Sequence, residues 1–174
     1  MIAAVGHADL TPDSLPLVEA ALRARFAHTA DGATGVVRVG AGLPLAVGRA
    51  VRGAGLGLVV MLPAQGSVPA LLPRRDRAAA GELLLLAEHM RLLPYDPEGR
   101  DACVGADERM IRTSRRVLAV WDGSPSDGRD ATAHLVAYAR ARGIPVDVVW
   151  PAGAARTPRS AGGARTSRAA GGGR

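Results

Sequence analysis

Short apolar runs alternate along this chain with segments in which apolar residues recur at helical spacing. The apolar runs cover residues 2–5, 35–39, 56–62, 117–121 and 144–150. Continuous apolar runs of this length are typical of strands buried in a parallel sheet, whose neighbours are joined by right-handed helical crossovers. The alternation therefore predicts an α/β fold: a doubly wound, parallel-sheet, Rossmann-like domain with the strand at 2–5 in its centre.

The helical segments follow the same alternation. We predict helices over residues 45–51, 73–89, 100–114 and 132–142, and a short edge strand over residues 91–93. Apolar positions at helical spacing between residues 15 and 26 predict a further helix after the first strand. The strand-to-helix turns are then the places where a ligand would bind.

Three of the apolar runs end in small or polar residues. The run at 117–121 stops at Asp122 and Gly123, the first run at Gly6-His7, and the second at Gly40-Ala41-Gly42. Ligands of open α/β sheets bind beyond the carboxyl ends of the strands, so these turns should converge on one rim. Glycine lets a ligand approach the backbone, and together the turns favour a phosphate or nucleotide pocket. The alternative is that tight strand-to-helix turns need glycine for their own geometry.

The charge is distributed unevenly. All 22 basic residues are arginines, and five of them stand after residue 150, at positions 156, 159, 165, 168 and 174, where no acidic residue occurs. Residues 1–150 are thus nearly neutral, with 17 arginines against 16 acidic residues. We predict one domain over residues 1–150 and a disordered Arg/Gly/Ala-rich tail over 151–174 that is dispensable for folding. The tail could make weak, salt-sensitive contact with nucleic acid.

Several classes of site are excluded by what the sequence lacks. A single cysteine, Cys103, allows no internal disulfide and is expected to be a buried, unreactive thiol. The histidines have no metal-site spacing, and a Walker A motif is ruled out because the chain has no lysine. Neither a G-x-S-x-G motif nor a signal peptide or membrane span is visible. We expect a cytoplasmic protein with no metal, no cofactor and no membrane partner.

Longer motifs carry a family resemblance over roughly residues 1–151. V-G-H and L-T-P stand near the start, G-A-G follows the second strand, and L-A-V-W-D-G-x-P, T-A, V-A-Y-A-R and V-W-P follow towards the end. This arrangement resembles the SLOG superfamily, which groups Rossmann-like domains akin to the DNA-processing protein DprA and to the LOG phosphoribohydrolases. The resemblance implies a nucleotide or a nucleotide-derived ligand. Carried over by position, the pocket would use Gly6, His7, Gly40, Ala41, Asp122, Gly123, Gly128 and Thr132, to which the end of the second strand adds Gly42.

The chain departs from the pattern of these relatives at four places. Ala8 stands where they usually have arginine, Gly42 where they have an acid, and Asp130-Ala131 where they have Gly-Gly before the threonine. Leu135 stands where the LOG enzymes carry their catalytic glutamate. An aliphatic side chain can neither activate water nor stabilise an oxocarbenium ion. Two hypotheses remain: a nucleotide-type ligand-binding module without robust catalysis, and a hydrolase that cleaves an N-glycosidic or phosphoester bond.

Overall fold

A computed structural model describes residues 1–30, 32–128 and 130–158, and within these ranges the chain forms one seven-stranded sheet and five helices. The strands are β1 (Ile2–Gly6), β2 (Thr34–Arg38), β3 (Gly57–Gln65), β4 (Val68–Pro69), β5 (His89–Pro94), β6 (Arg116–Val120) and β7 (Val146–Val149). The helices are α1 (Ser14–Ala27), α2 (Leu43–Gly53), α3 (Arg74–Leu86), α4 (Arg100–Arg112) and α5 (Thr132–Ala141). None of these helices is long and apolar enough to span a membrane.

The sheet is doubly wound, as predicted. β1 lies between β2 and β6, with β3 beyond β2 and β7 beyond β6. β3 also pairs in parallel with β5, whereas the short β4 pairs antiparallel with the end of β3. The pairs β1–β2, β1–β6, β2–β3 and β6–β7 are all parallel. The chain builds one side of β1 first and then crosses to the other, so the topological switch point lies between β1 and β6.

Helices cover both faces of the central strands. On one face, Val18, Leu22 and Phe26 form the buried stripe of α1, which packs with α2 and α3 over the sheet. On the other face, α4 and α5 cover a second apolar core. Ala4 belongs to the first core and Ala3 to the second, because successive strand residues point to opposite faces. Burial on both faces is why these strands are apolar at every position rather than at every second one.

The predicted helix over residues 73–89 is wrong at its end. α3 stops at Leu86, Ala87 has an extended backbone, and His89 already begins β5. The Glu88 N–H donates to the Leu58 carbonyl of β3 at 2.9 Å. Pairing with β3 thus overrides the helical preference of this segment. The predicted edge strand is confirmed, and it is longer than residues 91–93.

The described part of the C-terminal tail, residues 151–158, lies against the domain. The Thr11 N–H donates to the Ala155 carbonyl at 3.0 Å, and the Thr157 N–H donates to the Asp9 carbonyl at 2.7 Å. These contacts correct the predicted domain boundary at residue 150. The composition of residues 151–158 gave no sign that they pack on the domain, because polar contacts rather than apolar burial hold them there. Residues 159–174, to which the rest of the tail prediction refers, lie outside the described residues.

Candidate functional site

A cleft of about 340 Å³ opens at the carboxyl edge of the parallel strands. Its walls come from the ends of β1 and β2 and from the first turns of α2, α3, α4 and α5. Ligands bind at this position in open α/β sheets, beside the switch point of the topology. The volume lies at the lower end of the range for small-molecule sites.

Four helices begin at the cleft. Leu43 of α2, Arg75 of α3, Arg100 of α4 and Thr132 of α5 line it. In the described structure, none of the N-cap residues of these four helices makes a side-chain capping hydrogen bond. The first amides of a helix carry partial positive charge, so four helix starts favour an anionic group. At α5 the Asp130 carboxylate already accepts from the Thr132 N–H at 3.4 Å.

The charged side chains of the cleft nearly cancel. Its arginines are Arg38, Arg75 and Arg100, and its carboxylates are Asp76, Glu98, Asp107 and Asp130. Three cations against four carboxylates do not make a site for a polyanion.

The deepest of the three cations is Arg38 at the end of β2. Its Nε donates to Oδ1 of Asp107 in α4 at 2.8 Å, and its Nη2 donates to Oδ2 at 3.4 Å. The Arg38 side chain is 27% exposed, against 69% for Arg75 and 42% for Arg100. Burial alone would lower the pKa of Arg38, but the Asp107 carboxylate more than offsets it and raises the pKa. Arg38 therefore stays charged within a pair that is neutral overall.

His7 lies beneath the cleft and is fully buried. Its Nδ1 is 3.0 Å from Oδ2 of Asp130, and its Nε2 is 2.8 Å from Oδ1 of Asp122. The Thr132 hydroxyl donates to the other oxygen of Asp130 at 2.7 Å. The Trp150 ring packs against the imidazole in a T-shaped arrangement, with the ring centroids 5.7 Å apart. The backbone N–H of Asp122 also approaches Nε2, at 3.2 Å, so this nitrogen faces both an N–H donor and a carboxylate acceptor, whereas Nδ1 faces only the Asp130 carboxylate and donates to it.

The pKa shifts within this network agree with a charged histidine. Burial would lower the pKa of His7, but the hydrogen bond and charge of Asp130 and the hydrogen bond of Asp122 raise it. Burial likewise works against ionisation of Asp130, yet bonds from His7 and Thr132 hold its pKa below the ordinary value. The pKa of Asp122 is also lowered, by Ser124 and by His7. The histidine and the two carboxylates therefore stabilise one another's charged forms.

Arg156, from the segment after β7, completes the network. Its Nε and Nη2 donate to the two carboxylate oxygens of Asp9 at 2.8 and 3.0 Å. Its Nη1 donates to the Ser124 hydroxyl at 2.9 Å and lies 3.6 Å from Oδ2 of Asp122. The guanidinium thus joins the loops after β1 and β6. Its charge is used within the domain and does not belong to a free basic tail.

The structure divides the predicted site residues into two groups. Gly6, Gly40, Ala41 and Thr132 line the cleft; His7, Gly42, Asp122, Gly123 and Gly128 do not. His7 and Asp122 belong to the buried network below the cleft. Gly42 and Gly123 have φ angles of +68° and +86°, which supports the alternative that these turns need glycine for their own geometry.

Other residues of the cleft were not predicted. Arg38 directly precedes the Gly-Ala-Gly turn, and that position could have drawn attention to it. Asp107 stands on a helix with no sequence signal that its side chain is buried. Cys103, expected to be buried, is partly exposed and lines the cleft, and burial raises the pKa of its thiol. Among the described residues, no group of three or more His, Cys, Asp or Glu side chains could hold a metal ion.

Leu135 lines the cleft at the position where the LOG resemblance places a catalytic glutamate. Its side chain is buried, and it packs in the α4–α5 core. The fold is that of a doubly wound α/β domain, with the cleft at the carboxyl edge of its sheet. A scan against protein-family models gave no match to this chain, and a search of curated proteins gave none either.

Gly6 is the glycine that this site cannot replace. A Cβ at Gly6 would stand 2.5 Å from the Val120 carbonyl oxygen and 2.8 Å from Cδ2 of Leu43. We expect Gly6→Ala to lower the free energy of unfolding by about 2 kcal/mol or more, because backbone must shift. The matched control is Gly105→Ala in α4, where a Cβ meets nothing within 4 Å and stability should rise by roughly 0.5–1 kcal/mol. Urea unfolding of both variants measures the difference, and equal effects would refute this assignment.

Proposed function

We propose that this domain binds a nucleotide-derived ligand, such as a nucleoside monophosphate, in the cleft and that it lacks robust catalysis. The observation that carries the proposal is the convergence of four helix N-termini on a cleft at the switch point of a parallel sheet; at α5, Asp130 and Ser126 already accept from two of the first amides, which leaves the starts of α2, α3 and α4 for a ligand. The motif resemblance to the SLOG superfamily supports the same proposal, and we extend it to membership of that superfamily.

The lining of the cleft suits the parts of such a ligand. Arg100 and the first turn of α4 would meet a single phosphate at the rim. The carboxylates of Asp76 and Glu98 would accept hydrogen bonds from sugar hydroxyls. Val104 and Leu135 offer an apolar wall for a planar base. The near balance of charge agrees with one phosphate group rather than with a polyphosphate or a nucleic acid strand.

The alternative function, an N-glycosidic or phosphoester hydrolase, is favoured by the four carboxylates that line the cleft. Two observations weigh against it. Leu135 occupies the place of the glutamate that the resemblance implies. The pKa of Asp130 is lowered by His7 and Thr132 despite burial, whereas an efficient general acid or base needs a pKa near the working pH.

Binding is tested by thermal shift and calorimetry with nucleoside monophosphates, nucleosides and ribose 5-phosphate. A ligand at 100 times its Kd should stabilise the fold by about 2.7 kcal/mol and raise the Tm by roughly 5–10 °C. Ala8→Trp places a bulky ring on an exposed position of the cleft wall and should abolish the shift. Ala152→Trp, at an exposed position that does not line the cleft, is the matched control. No shift with any compound, or full binding by Ala8→Trp, would refute the proposal.

Hydrolysis is tested on the same compounds. We expect purified protein to release free base or inorganic phosphate from nucleoside monophosphates no faster than buffer alone, because the cleft holds no carboxylate at position 135. Product release is followed by chromatography over hours at neutral pH. Release that Asp130→Asn abolishes would establish the hydrolase instead.

A further inference from the structure

The fold separates the charges of this domain between the two edges of its sheet. Residues 1–150 carry 17 arginines against 16 acidic residues, so this part of the chain has little net charge. Four of the carboxylates line the cleft at the carboxyl edge: Asp76, Glu98, Asp107 and Asp130. At the opposite edge, which we call the amino edge, the parallel strands begin and the helices between them end. Positive charge collects there.

Within the described residues, six exposed arginines lie at the amino edge around the starts of β6 and β7. We call this set the basic edge: Arg25, Arg112 and Arg140 in the last turns of α1, α4 and α5, Arg142 just after α5, and Arg115 and Arg116 where β6 begins. The end of α1 belongs to the same surface, because Arg25 and Arg116 line one groove of about 370 Å³ together with His28 and Asp147.

The domain neutralises little of this charge. Asp147 of β7 lies 3.4 Å from Arg116 and is the one carboxylate that pairs with the basic edge in the described part of the chain. Arg142 lies over the Tyr138 ring, 3.5 Å from its centroid. The other four make no side-chain hydrogen bond or ion pair with the described residues: Arg25, Arg112, Arg115 and Arg140.

Helix dipoles account for only part of the basic edge. A cation in the last turn of a helix interacts favourably with the helix dipole, and three of the six arginines stand there. Arg115 and Arg116 lie outside the helices and add charge beside them. Each helix end carries only about half a negative charge, so three ends and Asp147 leave an excess of about three positive charges. This excess is available to a partner.

We propose that the basic edge binds the phosphate backbone of duplex nucleic acid. Guanidinium groups match the geometry of phosphate oxygens, and every cation of the basic edge is an arginine. Because the carboxylates of the cleft lie at the other edge, the field of the domain turns the basic edge toward a polyanion. The duplex site is separate from the cleft and does not rest on the function proposed above.

Two features favour a duplex over other polyanions. Single-stranded nucleic acid binds largely by stacking bases on aromatic rings, and Tyr138, the aromatic side chain of this surface, is already covered by Arg142. Binding at a lipid surface uses exposed apolar side chains, whereas the most exposed one, Leu85, lies at the end of α3 on the β3 side of the sheet. The basic edge therefore suits a uniform row of phosphates, read without regard to base sequence.

Salt dependence measures the contact. Fluorescence anisotropy with the full-length chain and a labelled DNA duplex of roughly 20 base pairs should give a Kd on the order of 10 μM in 50 mM NaCl. About three or four phosphate contacts should weaken the complex about 40- to 150-fold between 50 and 200 mM NaCl. Duplexes of unrelated sequence should bind equally.

A double variant, Arg115→Gln with Arg140→Gln, places the contact on the basic edge. Both side chains are exposed and without partners in the described structure, so the Tm should change little. The duplex should bind at least about tenfold more weakly in 50 mM NaCl, and the slope of log Kd against log salt should fall by about two. The matched control is Arg74→Gln with Arg91→Gln, which removes the same charge from exposed positions off the basic edge. It should keep the wild-type Kd within about twofold.

The remaining outcomes decide between this surface and others. Ala8→Trp, which blocks the cleft, should bind the duplex like the wild type. Equal losses in the two double variants would mean that net charge alone drives binding, and unchanged binding by Arg115→Gln with Arg140→Gln would place the contact elsewhere; either result overturns the proposal. It is also overturned if a single strand or an anionic phospholipid vesicle binds more tightly than the duplex.

Discussion

A chain that ends at Trp150 is expected to melt about 5–15 °C below the full-length protein. The truncation removes the bonds of Arg156 to Asp9 and Ser124. It also removes the backbone bonds that residues 155 and 157 share with the loop after β1. Asp9 and Asp122 lose their nearby guanidinium; Asp122 keeps His7 and the Ser124 N–H as partners.

The magnitude follows from how exposed these groups are. The Arg156 side chain is 14% exposed, but its partners Asp9 and Asp122 are 39% and 25% exposed. Water therefore screens the carboxylates in part, and the loss falls below that of a fully buried ion pair. We expect a decrease of about 2–5 kcal/mol in the free energy of unfolding, and each kcal/mol lowers the Tm by about 2–4 °C in a domain of this size.

Two further variants isolate the cause of this decrease. A chain ending at Pro158 keeps every described contact of the segment and should have the same Tm as the full-length protein. Arg156→Met in the full-length chain should reproduce most of the loss by calorimetry. Equal Tm values for chains ending at 150 and 158 would mean that the segment contributes nothing to folding.

Replacing His7 should destabilise the domain more than any other single polar change in the cluster. His7→Gln removes the cation between Asp130 and Asp122, whose carboxylate oxygens lie 3.0 and 2.8 Å from the ring nitrogens. Breaking a buried pair leaves an unpaired buried charge, which costs about 3–5 kcal/mol. Asp130 is only 7% exposed, so solvent cannot compensate for the loss.

The pH dependence distinguishes a charged histidine from a neutral one. The pKa of His7 lies above its ordinary 6.5 in the folded protein, so its contribution is complete below pH 6.5 and is lost as pH rises through the folded value. The lowered pKa of Asp130 gives the opposite limb: its contribution is complete above its ordinary 3.8 and is lost as pH falls through the folded value. Stability should therefore be greatest between about pH 4 and 6.5.

Urea unfolding across pH 3–9 measures both effects. His7→Gln should remove the decline above pH 6.5, and adding Asp130→Asn to it should recover part of the lost stability, because the unpaired charge is then gone. His28→Gln, at an exposed histidine that bonds only its own helix, is the control and should change stability by less than about 0.5 kcal/mol. A wild-type profile that is flat between pH 6 and 9 would show that His7 is neutral in the fold.

Local pattern was enough to predict the architecture. Apolar runs such as the one at residues 117–121 can be buried on both faces only in a helix-covered parallel sheet, and the structure has that sheet with β1 at its centre. The same pattern predicted at which edge of the sheet the cleft lies, because parallel strands all end on one side. Gly6 and Gly40 were assigned to the cleft for this reason, and both line it.

The chemistry of the site depended on contacts between residues far apart in the chain. His7 looked like a ligand-facing turn residue, but Asp122 and Asp130, more than 100 positions away in the chain, contact both of its ring nitrogens in a buried network. Arg38 and Asp107 are 69 positions apart, and no spacing rule connects them. Arg156 stands in a segment of low-complexity composition, and its partners, Asp9 and Ser124, come from the loops after β1 and β6, which meet only in the folded protein. Periodicity along the chain determines which residues are buried in each strand and helix; which charges meet is decided when the strand order brings their loops to one edge.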